Sequence, residues 1–161
     1  MAYLLDSDVL MEGRKRYYSF EICPGFWEWI ERRHAEGTVL SVEKVKAEIG
    51  DGNDALVTWA GNQPQSFFAP VDEATQAAFG TVTQWAMNQT YTARAVGEFL
   101  QKADFFLVAH ALAHSLTLVT HEREAATPSK IKIPNACLGL GIPVTNPFEM
   151  LRREGARFVL A

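Results

Sequence analysis

The stretch YLLDSDVLM, residues 3–11, decides the fold that the sequence predicts. Apolar residues run into Asp6, two small polar residues follow, and apolar residues then resume. Because Tyr3–Leu5 shows no alternation with polar residues, it predicts a strand buried on both faces, as in the middle of a parallel α/β sheet. Ligands of open α/β sheets bind at the carboxyl ends of the strands. Asp6 is therefore either a site residue at such an end or a helix N-cap.

Composition indicates an ordinary soluble globular protein. The 161 residues are 48% hydrophobic and 21% charged, and one domain over residues 1–161 is expected. We expect no membrane segment, because no apolar run approaches the roughly 20 residues of a span, and we expect a cytoplasmic protein because no signal peptide is evident. Cys23 and Cys137 lack metal-site spacing, so reduced thiols are expected.

Strand and helix signals alternate along the chain and predict a three-layer α/β/α sandwich around a mainly parallel sheet. Ser41 is a candidate cap for the helix that carries Glu48, and Asp72 is a candidate cap for a long helix ending near Met87. After the first strand, further strands are expected at residues 38–40, 67–69, 116–120 and 142–144, and an edge strand at 157–160.

Four carboxylates stand at comparable places in this pattern. Asp6 and Glu122 follow strands, Glu48 lies late in a helix, and Asp104 lies in the first turn of another. If they meet in one crevice, they repel each other unless a hard divalent cation holds them, and oxygen ligands suit Mg²⁺ or Mn²⁺. Such a site can hydrolyse phosphodiesters, and its ion allows an acidic protein of net charge −4 to act on RNA.

A basic segment follows the first helix signal. Arg14, Lys15 and Arg16 precede Tyr17 and Tyr18, a combination that can hold a phosphate backbone and stack a base. The alternative is an ordinary solvated loop.

The motifs LLDSDVLM, KVKAEI, KADFFLVAHAL and LTLVTHE, in this order and spacing, resemble the PIN-domain nucleases and look most like the VapC-type bacterial toxins. The tail KIKIPNACLGLGIPV and the early PGFWEWI are similar to an uncharacterised PIN-like bacterial family. The resemblance covers nearly the whole chain. It implies a Mg²⁺- or Mn²⁺-dependent endoribonuclease, an RNA substrate, a cognate antitoxin protein and the option of a homodimer.

The resemblance also implies roles for individual residues. Asp6, Glu48, Asp104 and Glu122 take the catalytic positions, although Glu122 stands where the family usually has Asp. Asp6, Asp104 and Glu122 are the implied metal ligands, with Asp8 as a secondary ligand. Ser7 and Thr120 match the small polar residues beside the family's site.

Other interpretations remain open. Asp6-Ser7-Asp8 also matches the opening of haloacid-dehalogenase-like phosphatases, where Asp6 would be the phosphoryl nucleophile, and residues 50–54 echo their acidic loop without its strand context. A degenerate PIN fold acting as a non-catalytic binding module is a further alternative. His110 and His114 lack the glutamate of an HExxH motif and are interpreted as packing or surface histidines.

Overall fold

A parallel sheet forms the centre of the molecule. The computed structural model describes residues 1–50 and 53–160. The described strands pair side by side in the order β3-β2-β1-β4-β5, all parallel. They are β1 (Tyr3–Leu5), β2 (Val39–Val42), β3 (Phe68–Ala69), β4 (Thr117–Val119) and β5 (Val144–Thr145). β1 occupies the central position and its three residues are 0% exposed, which confirms the strand predicted from its unbroken apolar run.

Helices connect the strands. In chain order they are α1 (Ser7–Glu12), followed by a π-helical turn (Gly13–Tyr17), α2 (Pro24–Ala35), α3 (Glu43–Ile49), α4 (Ala55–Gly61), α5 (Glu73–Met87), α6 (Ala93–Gln101), α7 (Ala103–His114), α8 (Ile133–Leu140) and α9 (Pro147–Arg153). Asp72, the predicted N-cap of α5, accepts a backbone N–H in the first turn of that helix, and Asp54 and Asn146 cap α4 and α9 in the same way.

The helices form a layer on each face of the sheet. α2 and α4 contact each other through Trp27 and Trp59, whose ring centroids lie 5.0 Å apart. α5, α7 and α8 contact one another instead. Because crossovers between parallel strands are right-handed as a rule, these two groups belong on opposite faces: the chain moves outward from β1 to β3 and then crosses back to β4. The structure is thus the predicted α/β/α sandwich.

Two local predictions were wrong. Ser41 does not cap α3: it lies within β2, fully buried, and its hydroxyl donates to the carbonyl oxygen of Leu5 at 2.7 Å. A buried hydroxyl in a strand needs such a partner, and the neighbouring strand supplies it. Arg157–Leu160 forms no strand; Phe158 instead packs edge-on against the ring of Phe26.

None of the helices in the two described ranges combines the length and apolar character that a membrane crossing requires.

Candidate active site

Asp6 lies at the carboxyl end of the central strand and is only 4% exposed. One carboxylate oxygen, Oδ1, accepts the backbone N–H of Ser7 at 2.7 Å, so Asp6 caps α1. The other, Oδ2, accepts the hydroxyl of Thr120 at 2.8 Å, just beyond the adjacent strand β4. Asp6 is therefore both a helix cap and a buried acid at the junction of two strands.

Thr120 links three of the predicted acids. Its hydroxyl lies 2.8 Å from Asp6 Oδ2 and 3.2 Å from Asp8 Oδ2, and its oxygen accepts the backbone N–H of Glu122 at 3.0 Å. Asp8 also accepts the backbone N–H of His121 at 3.1 Å. The end of β4 thereby fixes both carboxylates of the Asp-Ser-Asp sequence.

Asp104 and Glu48 complete the cluster from other elements. Burial, followed by repulsion from Glu122 and Glu48, raises the pKa of Asp104 to about 6. Burial, followed by repulsion from Asp8 and Asp104, raises the pKa of Asp6 well above its usual value. Glu48 itself is exposed and lies at the rim. The structure brings all five predicted acids into one electrostatic neighbourhood, which we call the acidic cluster: Asp6, Asp8, Glu48, Asp104 and Glu122.

Glu122 has protein partners of its own. Its Oε2 accepts the backbone N–H of Ile133 at 2.9 Å, at the start of α8, and its Oε1 lies 3.9 Å from Lys132 Nζ. A carboxylate at a helix N-terminus is stabilised by the free backbone N–H groups there. Glu122 is therefore held in place without an ion.

The acidic cluster offers the donors that a hard divalent cation prefers. The carboxylates are partly dehydrated and repel each other, and a cation among them would relieve that cost. They do not form a closed cage: among the described residues, the ligand groups that lie within 4.8 Å of one another do not include them. The donor chemistry thus fits Mg²⁺ or Mn²⁺ bound by some of these acids together with water.

The cations of the predicted basic segment have different surroundings in the structure. Arg14, Lys15 and Arg16 lie in the π-helical turn. Arg16 pairs with Glu12 at 3.1 Å and lines an open cavity beside Asp8. Arg14 lies near Asp54, whose pKa is lowered by the Val57 N–H first and by Arg14 less strongly.

The sequence predicted Arg16 and its neighbour Tyr17 as substrate contacts but gave little indication of the other aromatic and basic residues around the acidic cluster. The open cavity of about 940 Å³ is lined by Thr120 and Glu122 together with an aromatic group. In that group the Tyr17 ring stacks on His121 at 5.4 Å and meets Phe148 edge-on at 5.0 Å. A smaller cavity of about 130 Å³ beside Asp104 is lined by three lysines, Lys102, Lys130 and Lys132. Lys130 and Lys132, two residues apart in the sequence, were the only local signal for the lysine-lined cavity.

Solved structures of similar fold support the architecture. The crystal structure of FitAcB from Neisseria gonorrhoeae contains a chain with a TM-score of 0.52 and 18% identity, and the match covers 91% of this chain and 98% of that one. The structure of FitAB bound to an IR36 DNA fragment gives a TM-score of 0.51 and 17% identity, covering 91% and 95%. This likeness supports the α/β/α sandwich fold of the chain.

Sequence comparison assigns the family. No functionally curated protein matches the chain significantly. The model of a family described as a domain of unknown function, DUF4411, matches residues 3–158, nearly the whole chain. The chain therefore belongs to the DUF4411 family.

Proposed function

We propose that this protein is a Mg²⁺- or Mn²⁺-dependent endoribonuclease, and the toxin of a bacterial toxin–antitoxin pair. The observation that carries the proposal is the acidic cluster: buried Asp6 and partly buried Asp104, both with raised pKa values, face further carboxylates at the carboxyl edge of the sheet. Clustered acids with raised pKa values are typical of functional sites. When bound, the ion would lower the pKa of a water molecule and neutralise charge on the scissile phosphate.

The residues of the acidic cluster would have different roles in catalysis. Asp6 and Asp104, the most dehydrated members of the acidic cluster, would be the principal ligands, with Asp8 beside them. The Thr120 hydroxyl orients Asp6, and the start of α8 orients Glu122. Both carboxylates would therefore lose little further conformational entropy when they bind an ion. Glu48, at the rim, would accept a proton from the attacking water or position it.

The surroundings of the acidic cluster favour single-stranded RNA. Tyr17 is 46% exposed and forms an aromatic surface with His121 and Phe148, on which an unpaired base can stack. Lys102, Lys130 and Lys132 lie beside Asp104, and Arg16 lines the larger cavity beside Asp8. Cations in both cavities would hold the phosphates that flank the cleaved bond. Ser7 is the first residue of α1 and donates its backbone N–H to Asp6; it would contact the substrate at the N-terminus of this helix.

The toxin assignment rests on family resemblance. The ordered motifs resemble VapC-type toxins, and the solved chains of similar fold come from structures described as FitAcB and as FitAB bound to DNA. We propose a small antitoxin partner, encoded beside this gene, and a cytoplasmic site of action. Expression of the chain should arrest growth, co-expression of the neighbouring gene should restore it, and Asp6→Asn should be harmless alone.

The deciding experiment is an RNA cleavage assay with the purified, metal-free protein. We expect cleavage only after addition of Mg²⁺ or Mn²⁺, and a loss of at least about a hundredfold in Asp6→Asn and Asp104→Asn. Glu149→Gln, which changes a half-exposed acid on α9, is the control and should cleave normally. Cleavage that resists EDTA would contradict the proposal.

The same assay distinguishes the rivals. A phosphoryl-enzyme trapped on Asp6 would indicate the haloacid-dehalogenase-like phosphatase. The acidic loop on which that alternative partly rests includes residues 51–52, which lie outside the described residues, and its Asp54 caps α4 through the Val57 N–H at 3.0 Å. RNA binding without cleavage under any metal would indicate the non-catalytic binding module.

A further inference from the structure

Two histidines and an aspartate meet where the N-terminus of α5 approaches the C-terminus of α7. Asp72, His110 and His114 each offer one ligand atom, and these three atoms lie within 4.8 Å of one another. His114 Nε2 is 2.8 Å from Asp72 Oδ2, and the two imidazole rings, one helical turn apart, have centroids 4.5 Å apart. We propose that these residues bind Zn²⁺, or a similar borderline divalent transition metal, at a second site separate from the acidic cluster.

The donor set selects the kind of ion. Imidazole nitrogens suit Zn²⁺, Co²⁺ or Ni²⁺ and are poor ligands for Mg²⁺, which demands oxygen. Two histidines and one carboxylate leave a fourth position for water, as zinc sites with three protein ligands do. The acidic cluster has the opposite preference, because its donors are carboxylate oxygens. The two sites would therefore take different ions from one solution.

Two of the three ligands, Asp72 and His110, favour the protonation states that metal binding requires. A metal needs an ionised carboxylate and neutral imidazoles. Hydrogen bonds from Thr75, backbone first, lower the pKa of Asp72 to about 2, so its carboxylate is charged at neutral pH. Burial lowers the pKa of His110, so its ring is neutral there. Thr75 also holds the His110 ring, with its hydroxyl 3.1 Å from Nδ1.

The site is accessible and lies far from Asp104. The side chains of His114 and Asp72 are 37% and 44% exposed, which leaves an ion a path to its ligands. His110 and His114 follow Asp104 by six and ten residues, which corresponds to roughly 9–15 Å along the helix axis. A bound ion would join the start of α5 to the end of α7, two helices that pack along each other. Its effect would therefore be on the stability of this helix pair.

The alternative interpretation is that these three residues have structural roles that need no metal. Asp72 caps α5, His114 hydrogen-bonds to Asp72, and His110 hydrogen-bonds to Thr75. The two interpretations differ in what Zn²⁺ does, so the variants must remove the ligand without removing the cap. Asp72→Asn meets this requirement, because asparagine caps helices about as well as aspartate but lacks the charge.

The test measures Zn²⁺ affinity by calorimetry, and Co²⁺ coordination by its visible absorption, on the metal-free full chain with Mg²⁺ in excess. Asp104→Asn serves as the background, so that the acidic cluster contributes little to the signal. We expect one saturable Zn²⁺ site per chain, a Co²⁺ spectrum that Zn²⁺ abolishes, and a rise in melting temperature on binding. His114→Gln and Asp72→Asn should each weaken Zn²⁺ binding at least tenfold and lose the Co²⁺ spectrum.

The controls are matched in chemistry. Asp54→Asn replaces the N-cap of α4 in the same way, and His34→Gln removes a histidine elsewhere; both should bind Zn²⁺ as the background does. If no saturable binding occurs, or if His114→Gln and Asp72→Asn bind as tightly as the controls, the second site does not exist. Because His114 and Asp72 are both substantially exposed, these variants stay informative even if the buried His110→Gln variant fails to fold.

Discussion

Thr120 is the residue on which the geometry of the acidic cluster most depends. Its hydroxyl donates to Asp6 and its oxygen accepts the Glu122 backbone N–H. Thr120→Val keeps the shape but removes both contacts, which leaves a buried carboxylate less satisfied at a cost of about 1–3 kcal/mol. We expect lower stability and a loss of RNA cleavage of about tenfold or more.

Thr120→Ser is the matched control for that prediction, because it retains the hydroxyl and loses only a methyl group. Thermal melting and cleavage rates should rank wild type and Thr120→Ser together, above Thr120→Val. If serine and valine are equally defective, the methyl packing of Thr120 matters and its hydroxyl does not.

Asp104 gives the acidic cluster a measurable pH dependence. Its pKa is raised to about 6, so between about pH 4 and 6 the folded state without metal binds a proton that the unfolded state releases. The stability of the metal-free protein therefore falls as the pH rises through this range, and the full penalty is present above about pH 6. Asp104→Asn lacks this penalty.

We therefore expect Asp104→Asn in EDTA to be more stable than wild type at pH 7.5, by on the order of 1–3 kcal/mol, and no more stable near pH 4. Saturating Mg²⁺ should stabilise wild type more than the variant, because the variant has lost a ligand. Chemical denaturation at several pH values measures this. A stability difference that does not change with pH would mean that Asp104 is not strained.

At the residue scale, the sequence predicted which acids come together but not what surrounds them. Asp6, Asp104 and Glu122 are each marked by position, directly after a strand or in the first turn of a helix, and parallel strands must end at one edge. Tyr17 was marked by the basic segment that precedes it, but His121 and Phe148 carry no such mark, because they are far from Tyr17 in sequence and meet it only through tertiary packing. Lys102 lies two residues before Asp104 but belongs to no pattern that marks a substrate contact.

At the element scale, the connection between β4 and α8 is a braced segment that holds Glu122. Asn135 closes it: its Oδ1 accepts the backbone N–H groups of Ala125 and Lys132, each at 3.1 Å, and its Nδ2 donates to the Ala125 carbonyl at 3.1 Å. The asparagine of the IPNAC sequence thus has a structural role. It keeps the start of α8 in position to bind the Glu122 carboxylate.

Asn135→Ala should release this segment. Removing three partly buried hydrogen bonds should destabilise the protein by about 1–3 kcal/mol and speed amide hydrogen exchange at Ala125 and Lys132. Asn135→Asp keeps both acceptor contacts and should show a smaller effect. Amide hydrogen exchange measured residue by residue by NMR tests this prediction. Unchanged protection in Asn135→Ala would mean that the segment is rigid without this side chain.

The elements also show where local signals fail. Unbroken apolar runs and an N-cap residue identified β1, β4 and α5, because these signals act within a few residues. Ser41 has the chemistry of a cap, yet strand pairing with β1 outweighs that preference and the hydroxyl turns to Leu5. Arg157–Leu160 has the apolar character of a strand but does not pair.

At the scale of the whole molecule, charge distribution decides how an acidic protein can bind RNA. The net charge of −4 repels a polyanion at long range, so binding must depend on a local group of cations. Lys102 and Lys130 are exposed and line the cavity beside Asp104, whereas Arg32 and Arg157 line a different cavity, against α2. These two pairs of cations allow a comparison at constant net charge.

We expect the double variant Lys102→Ala and Lys130→Ala to bind single-stranded RNA more weakly and with a flatter dependence on salt. Each phosphate contact that is lost lowers the slope of log affinity against log salt by about 0.7 for a single strand. The double variant Arg32→Ala and Arg157→Ala changes the net charge equally but should leave the slope unchanged, since its cations lie away from the acidic cluster. Binding is measured with Ca²⁺, or in Asp104→Asn, so that cleavage does not interfere. Equal changes of the salt slope in both double variants would show that only the overall charge matters. An unchanged slope in the lysine variant would mean that the RNA binds elsewhere. Arg16 and its aromatic neighbours would then be the next residues to replace.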